Sequence, residues 1–552
     1  MRLRRMPFLP SLVLIAASCQ PLQDPGDKPP KDHPPGQTSA DSKGQLPERP
    51  APPIEAPAST VAPGRAPVGK IVCIAYDPSS ATIVTGDGKD TVWAWDAKTG
   101  RAIRPIDIPA FRLTVSPDGK LVYGDAGQDG LAIGDIATGK HVGDLLTRQA
   151  DLVRCFAWDP GGQLYVGGTS GDIRVWDVST RKQVRRFNVY PSQVRDVHFL
   201  ESGELLTAGT RIYEGRTAGG AVTFRCDEDD ALKTWDAATG RLRKAHPVTG
   251  SRLTFCARRR CVYILEGGGR SITVEGDAPT STGRDYVQRD VFSMREMARF
   301  ESDPVHQFVA AAAPDGRLLA IARDGKLHLY DTATDREICR RGEWNVSALA
   351  FAPNSRQLAG GGVGRLHLLD LPLPEWTAPA GLGNRERLWV DLAGNDMPAA
   401  YAALTRLAAA RADTLTDLDQ LVQPRAPVAG TEQIRKWIGE LDAAGFRDRE
   451  AAQAQLVSAF AEAEGPLRAR LAGKDTSPEA RARIEAVFSR VVPIAPLTGD
   501  DLREARYLQL LEAIHSEAAL RLVERAAKGA PGHPYTEEAK RVVARWQLSG
   551  PS

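Results

Sequence analysis

Few residues in this 552-residue chain have the type and spacing that chemistry requires. Asp227-Glu228-Asp229-Asp230 places four carboxylates in a row. A calcium loop needs ligands at alternate positions, and neighbouring side chains on an extended segment point apart, so the run reads as a solvated acidic loop. Cys256 and Cys261 flank Ala257-Arg258-Arg259-Arg260, where a hairpin should join two strands. Outside the cytoplasm a disulfide across that hairpin is geometrically allowed; two reduced, half-buried thiols are the other reading. No histidine cluster accompanies them, which disfavours a metal site. The nine histidines are scattered, and neither His-x-x-x-His nor Gly-x-Ser-x-Gly occurs. Gly267-Gly268-Gly269-Arg270 lacks the Lys-Ser/Thr and helix of a phosphate loop and reads as a turn. The chain therefore offers no catalytic residue, no cofactor site and no metal site, and a non-enzymatic role is expected.

What does recur is an aspartate. Asp96, Asp135, Asp177, Asp236, Asp290, Asp331 and Asp370 are separated by 39, 42, 59, 54, 41 and 39 residues, and most close a short apolar alternation such as Val92-Trp93-Ala94-Trp95-Asp96 or Ile173-Arg174-Val175-Trp176-Asp177. A period of this length lies between a hairpin and a domain, which is the signature of a repeat architecture. Aligned on the aspartates, the units share a strand, a Pro-Asp-Gly type turn, a second strand, a glycine turn, a third strand, another turn and a fourth strand. Phe111-Val115 with Ser116-Pro117-Asp118-Gly119-Lys120 and Phe308-Ala312 with Ala313-Pro314-Asp315-Gly316-Arg317 show this twice. The fifth unit is the least regular, yet Asp290-Val291 and Arg299-Phe300 repeat the offsets of Asp177-Val178 and Arg186-Phe187, giving seven units.

A four-stranded meander with two apolar faces cannot bury both alone; several packed about an axis can. The expected fold over 69–371 is a seven-bladed β-propeller. It resembles the WD40 repeat family through Trp95-Asp96, Trp176-Asp177 and Trp235-Asp236, with Tyr330-Asp331, Leu369-Asp370 and Gly134-Asp135 as weaker versions. The Gly-His pair of that family is missing, so its histidine network is not carried over and the blades should depend more on apolar packing. The aspartates are expected to satisfy turn backbone groups. For ring closure, the missing outer strand of the seventh blade could come from residues before Ile71, the favoured source, or from Arg387–Asp391. Extra length in the fourth unit (Arg211–Cys226) and the fifth (Gly267–Arg284) falls between second and third strands, so both insertions should leave the same rim.

After Leu371 the period changes to helical. Ile434, Trp437, Ile438 and Leu441 lie at i, i+3, i+4 and i+7, as do Ile484, Val487, Phe488 and Val491. Ser477-Pro478-Glu479 is a capped helix start. Seven or eight short helices are expected in an all-α domain over 399–548, joined by a connector at 372–398. The stretch resembles the HEAT-like helical extension that follows propellers in a large bacterial family of WD40 proteins. The matching residues are Trp389 to Gly394, Ala400-Tyr401-Ala402, Phe446 to Ala452, Leu511 to Ile514 and Gly529-Ala530. The resemblance implies architecture and protein binding, not a reaction; Trp437 and Phe446 are expected in the helical core.

The start reads as an export signal over 1–18: Arg2, Arg4 and Arg5, then an apolar stretch from Met6 to Ala17. Ala16-Ala17-Ser18 before Cys19 resembles a bacterial lipobox, although Ala16 stands where a large aliphatic residue is usual. The resemblance implies lipidation at Cys19; a plain secretory cleavage site is the other reading. Residues 19–68, with thirteen prolines between Gln20 and Val68, read as a disordered tether. Net charge is only +2, so nothing points to nucleic acid. The expectation is a cell-envelope scaffold, anchored to a membrane by lipid and binding protein partners whose identity the chain does not name. The alternatives are an enzyme or small-ligand binder using the propeller channel, and an envelope protein contacting polysaccharide.

Overall fold

The computed structural model of the protein describes residues 69–549, apart from 89–90, 126–129, 146–151, 192, 201–202, 217–221, 228–230, 250–252, 257–260, 267–269, 274–279, 282–284, 291–295, 301–308, 373–383, 474 and 491–496. The signal segment, Cys19, the tether, most of the acidic run and the Gly267–Gly269 turn lie outside these residues.

Residues 73–370 form seven antiparallel sheets set around a ring. Blades 1 to 7 span 73–106, 113–144, 153–188, 193–249, 253–300, 309–341 and 346–370. Within each, strands a to d run outward in chain order; blade 1 is Cys73–Tyr76, Thr82–Gly86, Val92–Asp96 and Ala102–Ile106. Alternation places Val84, Val92, Ala94 and Ile106 of blade 1 against Val115, Val122 and Ala132 of blade 2, and apolar clusters likewise join blades 2 and 3, 3 and 4, 4 and 5, 6 and 7, and 7 and 1. Each sheet thus buries the face of its neighbour, which a lone meander cannot do. The a–b turns are tight because glycine takes a positive φ there: 74° at Gly119 and 70° at Gly316, each donating back to residue 116 or 313.

Apolar packing is not the whole of blade cohesion. The buried indole of Trp95 donates to Thr85 Oγ1 at 2.8 Å and that of Trp235 to Thr207 Oγ1 at 3.0 Å. A threonine on strand b thus supplies a hydrogen bond even without the family's histidine. In blade 3 the equivalent residue is Val166, and the buried Trp176 Nε1 has no acceptor.

The ring closes where blade 7 meets blade 1. Tyr76 donates to Gln357 Oε1 at 2.9 Å, and Gln357 Nε2 donates to the Ala97 carbonyl at 3.0 Å. At the other end of the strands, Ile71 donates to Gly362 O and Lys70 bridges Val363. Blade 7 shows three strands among the described residues. Arg387–Asp391 does not supply a fourth. It lies in a helix, because Asn384 caps the Arg387 N–H at 3.1 Å and Glu386 sits in the first turn.

Ten helices follow among the described residues: α1 Arg385–Asp391, α2 Met397–Ala409, α3 Arg411–Leu421, α4 Thr431–Glu440, α5 Phe446–Ser458, α6 Phe460–Ala472, α7 Pro478–Arg490, α8 Gly499–Ile514, α9 Glu517–Ala527 and α10 Pro534–Ser549. The count exceeds seven or eight because helices that abut, such as α2 and α3 about Ala410 or α5 and α6 about Ala459, have no loop to announce the break. They fall into two packed groups. α1, α2, α3, α8, α9 and α10 share one apolar core with blades 6 and 7, through Leu404, Leu407, Leu511 and Val523 on one side and Leu318, Phe351 and Leu371 on the other. α4 to α7 form a second core around Ile434, Leu456, Leu467 and Ile484. Because α2 packs on α8, across about a hundred residues, the region departs from a stack in which each repeat touches only its sequence neighbours.

Candidate functional site

Antiparallel strands put the a–b and c–d turns on one rim of the ring and the b–c turns on the other. The helices sit on the first rim, against the a–b turns of blades 6 and 7 and the c–d turn of blade 6. Both insertions leave the second. Strand b of blade 4 runs on as Glu204–Arg216 and returns as Val222–Asp227, which pairs with Arg270–Thr273 from the blade 5 insertion; that strand pairs in turn with Thr280–Ser281. The two insertions therefore not only share a rim but join into one projecting sheet. Cys256 and Cys261 face each other in the hairpin register of blade 5; their side chains lie outside the described ones.

The seven aspartates Asp96, Asp135, Asp177, Asp236, Asp290, Asp331 and Asp370 each end strand c of a blade. Asp96, Asp135 and Asp236 accept both the N–H and the hydroxyl of the threonine three residues on, at 2.6 to 2.8 Å. Asp177 does the same with Ser179. These bonds need the charged carboxylate, so the threonine contacts hold Asp96 and Asp135 below the usual range, and Thr239 with Arg243 brings Asp236 down to about 2. These bonds commit the carboxylates to their own turns.

Asp331 is put to a second use. Only 2% exposed, it accepts the N–H groups of Ala333 and Thr334 at 2.6 and 3.1 Å through Oδ1. Its Oδ2 accepts the Tyr401 hydroxyl of α2 at 3.1 Å and lies 3.8 Å from the Arg506 guanidinium of α8. Arg506 also donates to the carbonyls of Leu392 and Gly394, at 2.5 and 3.2 Å. One repeat aspartate thus ties the helical region to blade 6.

Beside it lies a buried ion network. Arg317, on the a–b turn of blade 6 with 7% of its side chain exposed, approaches Glu512 of α8 at 2.7 Å, Glu538 of α10 at 3.4 Å and Asp315 at 3.6 Å. Arg545 of α10 grips Glu512 with two bonds at 2.8 and 3.0 Å. Burial opposes the Glu512 charge, but Arg317 and Arg545 outweigh it and hold the carboxyl at about 2. Burial raises Asp315, and Arg317 only partly offsets this. Nothing in the sequence singled out these residues: Arg317 occupies the place of Lys120 in blade 2, and its partners lie about two hundred positions away.

Next to this network a cleft of about 1000 Å³ separates the rim from α2, α8 and α10. Ser79, Asn354 and Arg356 line the propeller side; Thr405, Gln509 and the stacked rings of His515 and Trp546, 4.5 Å apart, line the other. In the second helical group Phe446 is 63% exposed, not in the helical core where it was expected. It starts α5 rather than filling a face, and the guanidiniums of Arg449 and Arg483 lie beside its ring at 5.9 and 5.8 Å. Trp437 packs partly buried on the α4–α7 core.

Around the innermost strands Asp125 and Asp196 have partners within the protein. Arg112 lies 3.6 Å from Asp125, and Asp196 accepts the N–H groups of Leu253 and Val197 at 2.9 Å each. Among the described residues no three His, Cys, Asp or Glu side chains are arranged to hold a metal ion.

The fold and its rims define a seven-bladed β-propeller followed by a helical region. Comparison with known proteins agrees on the repeat: residues 139–177, from the end of blade 2 through strand c of blade 3, match the family described as WD domain, G-beta repeat. Among curated proteins the chain is similar to WD repeat-containing protein 1 of Gallus gallus, 22% identical over 229 residues, covering 39% of this chain and 33% of the relative. It is also similar to transcription factor unc-37 of Caenorhabditis elegans, 28% identical over 132 residues, covering 23% and 21%. The chain thus spans a third or less of the length of these relatives. A crystal structure of RRP9 WD40 repeats aligns over 56% of this chain and 92% of its own, at 15% identity and a TM-score of 0.43.

Proposed function

We propose that the protein is a non-enzymatic scaffold of the cell envelope, tethered to a membrane by lipid on Cys19 and joining protein partners through its two rims. One observation carries the reading: the helical region and the joined insertion sheet rise from opposite rims of one closed ring. Two separate surfaces on a rigid body suit simultaneous engagement of two partners. Asp196 at the inner wall and the strand-end Asp96, Asp135, Asp177 and Asp236 are engaged by N–H and hydroxyl groups of the protein itself, which supports binding over chemistry. The Pro-rich stretch between Cys19 and Val68 would hold the ring away from the bilayer.

Crosslinking and affinity capture of the full chain from envelope fractions test the reading. A protein partner lost when the 211–227 insertion is replaced by a short turn supports it. Recovery of no protein partner, together with a saturable small ligand in the propeller channel, would sink it in favour of the channel reading. Cys19→Ala should move the protein to the soluble fraction; unchanged membrane retention counts against the anchor.

A further inference from the structure

A second, smaller cavity of about 210 Å³ lies between the c–d turn of blade 6 and the first turns of α8 and α10. The Leu497 N–H, bonded to the Ala333 carbonyl at 2.7 Å, closes one side. The volume exceeds the roughly 150 Å³ that accepts a benzene molecule in an engineered core, so it can hold several heavy atoms. Its walls are of two kinds. Leu497, Leu508 and Pro534 supply apolar surface, and Asp501, Glu504 and Tyr535 supply polar groups.

Two of those polar groups accept no hydrogen bond and form no close ion pair among the described residues, although the Arg425 charge reaches both. Tyr535 is 8% exposed, yet its hydroxyl has no hydrogen-bond partner among the described residues. A hydroxyl left in that state is open to a hydrogen bond from a group bound in the cavity. Asp501 stands in the first turn of α8 and has no ion-pair partner among the described residues. Glu504 differs, because Arg425 holds it. Burial keeps the Tyr535 phenol protonated, so its oxygen can accept a hydrogen bond beside the Asp501 carboxylate.

We propose that this cavity binds a primary ammonium carried on a short apolar stem, with Asp501 and the Tyr535 hydroxyl receiving the N–H groups and Leu497, Leu508 and Pro534 covering the stem. The ammonium offers three donors and no acceptor, which suits the two acceptors left by Asp501 and Tyr535 once Arg425 has taken Glu504. A carboxylate ligand would meet Asp501 and Glu504 as like charges. Lysine side chains of a protein and free alkylamines share this chemistry. The site lies within the helix-bearing rim, and the proposal stands whether or not the rims bind proteins.

The test is calorimetric titration of the purified full-length chain with n-butylammonium chloride, against n-butanol and butyrate. For so small a ligand a Kd on the order of 1 mM at low salt is expected, weakening as salt rises. Butanol should bind at least tenfold more weakly and butyrate not measurably. Asp501→Asn should weaken butylammonium about tenfold and Tyr535→Phe several-fold, with unchanged unfolding midpoints showing that both variants are folded. Equal affinity for butanol, binding of butyrate, absence of saturation well above the expected Kd, or indifference to both substitutions would overturn the proposal. N-acetyl-lysine methylamide separates the sources. Binding as tight as butylammonium points to a lysine on a protein chain, and its exclusion points to a free amine.

Discussion

Replacing Arg317 by methionine is the most informative single change to the junction of propeller and helices. The substitution keeps most of the stem's packing and removes one charge from a cluster of Asp315, Glu512 and Glu538, leaving Arg545, and Arg541 at 3.4 Å from Glu538, to answer three carboxylates. Glu512 has 21% of its side chain exposed and titrates at about 2 against an ordinary 4.5, which corresponds to about 3 kcal/mol of favourable interaction with its surroundings. Arg545 retains part of that. The loss of Arg317 also strands charge in a buried place, and breaking a buried pair from one side costs roughly 3–5 kcal/mol. A loss of about 3–5 kcal/mol at pH 7 is therefore expected, read as the shift of the urea midpoint multiplied by the slope, followed by circular dichroism and tryptophan fluorescence.

The pH dependence supplies a sign. In the native protein the Glu512 contribution is fully present above pH 4.5 and is lost as pH falls through about 2. Asp315, whose folded value is raised by burial, acts in the opposite sense: its contribution is present below 3.8 and fades as pH rises through the folded value. In the Arg317→Met protein the carboxylates lose their main partner and take up protons more readily, so the deficit should shrink between pH 7 and pH 4. A loss under about 1 kcal/mol, or a deficit that grows on acidification, would refute the account of the network.

Other outcomes follow from single sites. Val166→Thr should give Trp176 Nε1 the acceptor that Thr85 and Thr207 give Trp95 and Trp235, raising stability by about 1 kcal/mol; a loss of that size would show that the new hydroxyl cannot reach the indole. His246 is 3% exposed, sits 2.6 Å from Thr234 Oγ1 and is pushed down to about 4, mainly by burial. Its contribution is present above 6.5 and lost as pH falls toward 4, so about 2 kcal/mol should disappear between pH 7 and pH 5, and His246→Gln should flatten that slope in denaturant titrations. Gly532 has φ of 83°, and an added Cβ would stand 1.7 Å from the Ala461 carbonyl oxygen. Gly532→Ala should therefore cost more than about 3 kcal/mol, and a near-neutral unfolding midpoint would contradict the close approach of the α9–α10 turn to α6.

The seven-bladed ring was legible in the chain because its cause is local. A turn that must leave strand c needs an acceptor for its N–H groups, and aspartate followed by Thr, Ser or Gly provides it at fixed offsets, as Asp96 and Thr99 show. The helical change of period after Leu371 was legible for the same reason, since an apolar stripe repeats within a few residues. What only the tertiary structure decided depends on partners far apart in sequence. Asp331 looks like its six counterparts until Tyr401 and Arg506 arrive from helices 70 and more residues later. Arg317 reads as an ordinary turn residue until Glu538, 221 positions on, is brought against it. The pairing of the two insertions, the return of α8 onto α2 and the cavity beneath Tyr535 are of the same kind. Backbone pairing and charge burial are set by which surfaces meet, and local spacing carries no record of that.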